Sequence, residues 1–141
     1  MSLFLDQSVS FAQAISQLRD LPILVLGHRR PDGDCIGSQV AMTRVLLALG
    51  KNVRAVNHDP IPRTLLKFVV DTPFCSPEQV ADGDYQIITV DCADHARVGE
   101  VLLKRFRVYS NGLVRDSKIF LNSVKKQSVS YLISSTQYLK T

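Results

Sequence analysis

Cysteine is scarce in this chain: it has only Cys35, Cys75 and Cys92, widely spaced and odd in number. That argues against a disulfide framework and fits reduced thiols in the cytoplasm, where such residues ordinarily serve as small buried hydrophobes. Long apolar runs are missing too. None reaches the roughly 18 residues of a membrane span, so no membrane partner is expected. The opening Met1-Ser2-Leu3-Phe4-Leu5-Asp6 has no basic segment ahead of a long apolar stretch, so a secretory signal is not expected. Neither Gly-x-Gly-x-x-Gly nor Gly-x-x-x-x-Gly-Lys-Ser/Thr occurs, so the usual phosphate-cradling glycine loops are absent. Histidine is as rare as cysteine, limited to His28, His58 and His95.

Acidic residues run out in the last third. Residues 1–98 carry nine Lys and Arg against eleven Asp and Glu, a balance of −2. Residues 99–141 carry eight against two, a balance of +6, and together these return the net +4. The basic character therefore belongs to the tail, and the front part is not a nucleic-acid-coating surface. With 141 residues and 45% hydrophobic content the chain has material for one globular domain with a core.

The first hundred residues alternate between helix and strand patterns. Ser10-Phe11-Ala12-Gln13 has the form of a capping box, opening a helix through about Leu18 with Phe11, Ala14, Ile15 and Leu18 on one face. Ile23 to Leu26 is a short continuous apolar strand of the kind buried in parallel sheets. A helix is expected from about Ile36 to Leu49, closed by Gly50, with Ile36, Val40, Val45, Leu46 and Leu49 as its buried stripe. Val53 to Val56 and Tyr85 to Val90 read as further strands. The pattern predicts an α/β fold on a parallel sheet. Ligands of such sheets gather at the carboxyl ends of the strands, where His28, Asp32, Asp34, Asn57 and Asp91 all fall.

The stretch His28-Arg29-Arg30-Pro31-Asp32-Gly33-Asp34 puts one imidazole and two carboxylates on a single strand-to-helix loop. These are ligands for hard divalent ions, and paired ions about 3.5–4 Å apart can clamp both oxygens of an in-line phosphoryl displacement. Asp32 and Asp34 sit two apart, so each can address a different ion, and Asp91 can bridge. His28 adds a nitrogen donor that suits manganese or another transition ion better than calcium. A plainer role is equally open on spacing alone: either aspartate can cap the following helix, and Pro31-Asp32-Gly33-Asp34 is an ordinary turn sequence. Arg29 and Arg30 are candidates for contact with a substrate phosphate. Arg97 reads rather as a helix-surface residue, Lys104-Arg105-Phe106-Arg107 as a solvated helix end, and His58 as a bystander.

Gly27-His28-x-x-Pro31-Asp32-Gly33-Asp34-x-Ile36-Gly37-Ser38 resembles the first motif of the DHH phosphoesterase superfamily. Within it, the chain looks like the branch of oligoribonucleases that also act as pAp phosphatases. Asn57-His58-Asp59-Pro60-Ile61-Pro62, and the run from Asp84 to Asp94 followed by Arg97-Val98-Gly99, match that branch as well. The resemblance covers about residues 8–100. It implies a parallel α/β domain followed by a smaller substrate-grasping domain. It also implies that His28 and Asp32 bind one manganese, Asp34 the other, and Asp91 both, with magnesium or cobalt as substitutes. The expected substrates are short RNA or DNA oligonucleotides or 3′-phosphoadenosine 5′-phosphate (pAp), with Asp34 and Asp91 catalytic, and a homo-oligomer is possible for the assembly.

Against that pattern, the Asp-His-His that names the family is absent, and Asp94-His95-Ala96 stands too close to Asp91 to replace it. A further aspartate ligand and the C-terminal domain are missing as well. The chain is therefore expected to be an incomplete form: a partial phosphoesterase domain over 1–100 and a divergent tail over 101–141, either frameshifted or disordered, with Leu121–Ser128 and Tyr131–Ser135 as poor strands at best. Two other readings stand beside the enzyme: a non-catalytic remnant that binds metal or nucleotide, and an α/β interaction domain whose acidic loop is structural.

Overall fold

Among the described residues, every strand runs parallel to its neighbours. The computed structural model describes residues 5–92 and 95–106. Among them, strand β1 (Ile23–Leu26) pairs with β2 (Val53–Val56) on one side and with β4 (Gln86–Thr89) on the other, and β3 (Phe74–Cys75) extends the sheet beyond β2. The order is β3-β2-β1-β4. Helix α1 (Leu5–Ser16) precedes β1, α2 (Gly33–Ala48) carries the chain from β1 to β2, and α3 (Glu100–Arg105) follows β4. Short 3-10 turns at Arg63–Phe68, Pro77–Gln79 and His95–Val98 complete the connections.

The sheet is buried on both faces, which is why β1 is apolar at every position. Successive side chains of a strand point to opposite faces. Ile23 and Val25 pack with Val53, Ile88 and Val90 beneath Ile15 and Leu18 near α1 and Met42 and Leu46 of α2. Leu24 and Leu26 pack on the other face with Val56, Ile87, Val98 and Leu102.

Helix α2 is bounded by two local devices. Asp32 caps its start, its carboxylate accepting the backbone N–H of Asp34 at 3.1 Å and of Cys35 at 3.0 Å. At its end Gly50, with φ 73°, donates its N–H to the Leu47 carbonyl, and Lys51 donates to that of Leu46. This is a Schellman closure, as expected at Gly50, and the positive φ is what makes glycine suitable there.

Several elements differ from the sequence expectation. Helix α1 starts at Leu5 rather than Ser10, so the box at Ser10 to Gln13 lies inside the helix and does not open it. Phe11, Ala14, Ile15 and Leu18 nevertheless share the inward face, although Leu18 falls past the helix end. Helix α2 starts at Gly33, and its buried residues are Cys35, Ile36, Gln39, Met42, Thr43 and Leu46. Val45 and Leu49 are exposed at 41% and 54%. The stripe read from hydropathy was rotated because two polar residues, Gln39 and Thr43, occupy inward positions. Gln39 belongs there because its amide donates to the carbonyls of Val25 and Val56 at 3.0 and 3.3 Å, tying α2 to two strands. Strand β3, only two residues long, carried no recognisable pattern. The stretches 121–128 and 131–135 lie outside the described residues.

The basic group at the end of α3 is not simply solvated. Lys104 pairs with Glu100 at 2.6 Å on the surface. Arg105 instead turns back and donates to the carbonyls of Pro77 and Val80, with Asp82 at 3.4 Å. Leu102 is completely buried, so α3 is part of the second core.

Candidate metal and phosphate site

From β1 the chain proceeds to β2 on one side and later returns to β4 on the other. A crevice at the carboxyl ends of β1 and β4 is thereby left between diverging connections, the position where open α/β sheets bind ligands. Leu26 and Thr89 are partners in register there. His28 and Asp91, each two residues beyond its register partner, consequently meet: His28 Nε2 lies 3.3 Å from Asp91 Oδ2 and 3.7 Å from Asp32 Oδ1.

The imidazole of His28 is buried and its orientation is determined. Nδ1 lies 2.7 Å from the Arg29 carbonyl, which can only accept, so Nδ1 carries the proton and Nε2 faces the carboxylates. A backbone acceptor that fixes the tautomer in this way is the usual support of a metal-binding histidine. Gly27 makes room for the turn. A Cβ there would lie 2.4 Å from Cys35 Sγ, 2.8 Å from Gln39 Oε1 and 2.9 Å from Asn57 Oδ1. No larger residue fits before His28 without displacing α2 or Asn57.

The carboxylates are tuned in opposite directions. Burial pushes the Asp91 carboxyl up, the negative charge of Asp34 adds to this, and His28 opposes it. Asp91 also adopts a left-handed backbone, φ 53°, uncommon for a residue other than glycine. Asp32 is held below the ordinary carboxylate value, chiefly by the Cys35 backbone N–H. Asp34 is exposed in the first turn of α2, near enough for its charge to be felt at Asp91.

A divalent ion fits this arrangement. The ligand atoms of His28, Cys35 and Asp91 all lie within 4.8 Å of one another. Cys35 is the weak member: burial pushes its thiol up to about 12, and its Sγ–H is directed at Gln39 Oε1 at 3.8 Å. A neutral thiol is a poor ligand, whereas Nε2 of His28 with the oxygens of Asp91 and Asp32 forms a donor set suited to manganese or magnesium.

Beside this crevice Arg29, Arg30 and Arg97 line a hollow of about 370 Å³ together with His58 and Asp59. Arg97 is exposed on the turn His95–Val98, in keeping with the surface reading, and its backbone carbonyl accepts the Arg29 N–H at 2.6 Å. Asp59 is engaged within the hollow, accepting from His58 Nδ1 at 2.9 Å and from the Arg30 N–H at 2.8 Å. Those bonds, the one from His58 foremost, hold its carboxyl below the usual range. Asn57 follows β2 with 5% exposure, and its carboxamide has no hydrogen-bond partner among the described residues. The contributions of Gly27 and Asp59 were not read from the sequence, since both depend on contacts across strands.

Residues 22–110 match the DHH family, N-terminal domain. The chain belongs to the DHH family. Members of this family are phosphoesterases, and a metal-dependent hydrolytic site accords with the donors gathered at the crevice. The match continues through α3 and past it. The bifunctional oligoribonuclease and PAP phosphatase NrnA of Thermus thermophilus is 34% identical over 85 residues, which are 60% of this DHH-family chain and 26% of that protein. The chain thus matches about a quarter of the length of that curated relative. Among the described residues no helix is long and apolar enough to cross a membrane.

Proposed function

We propose that this protein is a manganese-dependent phosphoesterase that hydrolyses short oligonucleotides, pAp or both, and that it works in the cytoplasm. The observation that carries the reading is the approach of His28 and Asp91 to 3.3 Å at the switch point of the sheet, with Asp32 at 3.7 Å from the same nitrogen. The likeness to a bifunctional oligoribonuclease and PAP phosphatase supports the choice of substrate.

In this reading His28, Asp32, Asp34 and Asp91 would hold the metal. Bound ions of this type neutralise phosphate charge and lower the pKa of water, providing a nucleophile at neutral pH. The protein's own part is positional. The Arg29 carbonyl aims His28, Asp32 and Asp34 stand at the start of α2, and Asp91 follows β4 with its carboxylate 3.3 Å from His28. Arg29, Arg30 and Arg97 provide guanidinium groups for phosphate oxygens adjoining the crevice.

The test is hydrolysis of pAp and of a dinucleotide with and without Mn²⁺, alongside calorimetric titration of Mn²⁺. Turnover that depends on Mn²⁺ and is lost in Asp34→Ala and Asp91→Asn would support the reading. Binding without turnover would reduce the protein to a non-catalytic metal-binding form. A structural reading of the acidic loop is favoured by the two cap bonds of Asp32. It predicts no Mn²⁺ binding, and a loss of only about 0.5–2 kcal/mol of stability on Asp32→Ala.

A further inference from the structure

Two hollows open side by side at the carboxyl end of β2, sharing His58 and Asp59 as a common wall. The first is the arginine-lined hollow already described. The second, about 450 Å³, is of another character: Pro60, Ile61, Leu66, Phe74 and Pro77 supply apolar walls and one aromatic ring, and the carboxylate of Glu78 also lines it. Its volume is ordinary for a small-molecule site, and a mostly apolar lining with few polar groups is the usual composition of one.

The shared wall is rigid. The His58 ring stands against Gly99, where any Cβ would come within 2.5 Å of Cδ2. Its Nδ1–H is given to Asp59, and Asp59 in turn accepts from the Arg30 backbone, so the imidazole is held from both sides. The Asp59 carboxylate is occupied by these two donors, which leaves the three guanidinium groups to dominate the first hollow.

A ligand that fills both hollows has an anion at one end and a flat, largely apolar ring at the other, separated by a short linker that spans His58. We propose that the pair forms one nucleotide site, in which Arg29, Arg30 and Arg97 hold a phosphate and the Ile61–Phe74 hollow receives the nucleobase of the same nucleotide. This rests on the phosphoesterase reading and extends it, because it makes Ile61, Leu66 and Phe74 the residues that select a nucleotide over other phosphate esters. Stacking on an aromatic ring is sequence-tolerant, so the hollow takes a base as such and does not read one base alone.

The test is calorimetric titration of the full chain in EDTA, so that nothing is hydrolysed, with inorganic phosphate, ribose 5-phosphate and AMP. AMP is expected to bind roughly tenfold or more tightly than ribose 5-phosphate, the scale of one base–aromatic stack. Ile61→Trp, which fills the apolar hollow, is expected to erase that gap and leave ribose 5-phosphate binding unchanged. Leu66→Glu, at a position already 49% exposed and therefore safe for folding, is expected to narrow it. Equal binding of AMP and ribose 5-phosphate by wild-type protein overturns the base subsite alone. So does a gap that survives both substitutions. If neither phosphate nor ribose 5-phosphate binds, the arginine hollow is not a phosphate site, and this inference falls with that part of the functional reading.

Discussion

Asp91 carries the sharpest conflict between stability and use. It is half-buried, feels the charge of Asp34, adopts a backbone conformation that most residues avoid, and its carboxyl is pushed up. A group whose folded-state pKa exceeds its unfolded value contributes stability that is complete below the unfolded pKa and is lost as pH rises through the folded one. At neutral pH the ionised Asp91 is therefore a cost to the metal-free fold. Asparagine removes the charge, keeps the shape and tolerates positive φ. Asp91→Asn is expected to raise the melting temperature of the metal-free protein at pH 7, with the gain closing as pH falls below the ordinary carboxylate range. It is also expected to abolish the rise in melting temperature that Mn²⁺ gives the wild type. Thermal melts with EDTA and with Mn²⁺, at several pH values, check both. The identity of Gly27 is forced by crowding from Cys35, Gln39 and Asn57, as that of Gly99 is by the ring of His58.

At the scale of the element, α2 shows how far local signals reach. Its ends were legible: a turn rich in aspartate and glycine precedes it, and Gly50 closes it by the expected bonds. Its inward face was not. Hydropathy favoured Val45 and Leu49 over Gln39 and Thr43, but the amide of Gln39 satisfies carbonyls of two strands at once, a gain that no helical wheel records. The contrast is measurable by urea unfolding. Leu46→Ala, at a wholly buried position, is expected to cost about 2–5 kcal/mol. Leu49→Ala, at 54% exposure, is expected to stay within about 0.5 kcal/mol of wild type. Similarly, Arg105 read as a surface charge because its acceptors, the carbonyls of Pro77 and Val80, are remote in sequence.

Across the whole molecule, burial orders the three thiols. Cys35 and Cys92 are buried and pushed up to about 12 by that burial, whereas Cys75 is half-buried on the outer strand β3. Labelling of the native protein with a thiol reagent near pH 8 is expected to modify Cys75 first and to reach Cys35 and Cys92 only at the rate of global unfolding; mass spectrometry of partly labelled protein reads the order. Equal labelling of all three would mean that Cys35 and Cys92 are not buried as described.

The sequence by itself determined strands β1, β2 and β4, the loop that presents His28, Asp32 and Asp34, and the closure of α2. Each depends on residues adjacent in the chain: an apolar run, an aspartate before a helix, a glycine after it. The strand order, the meeting of His28 with Asp91, and the placing of His58 and Asp59 between an arginine hollow and an apolar one were decided only by the tertiary structure. Strand pairing and burial join residues far apart in sequence, and the hydrogen bonds and excluded volume that fix those partners have no local signature.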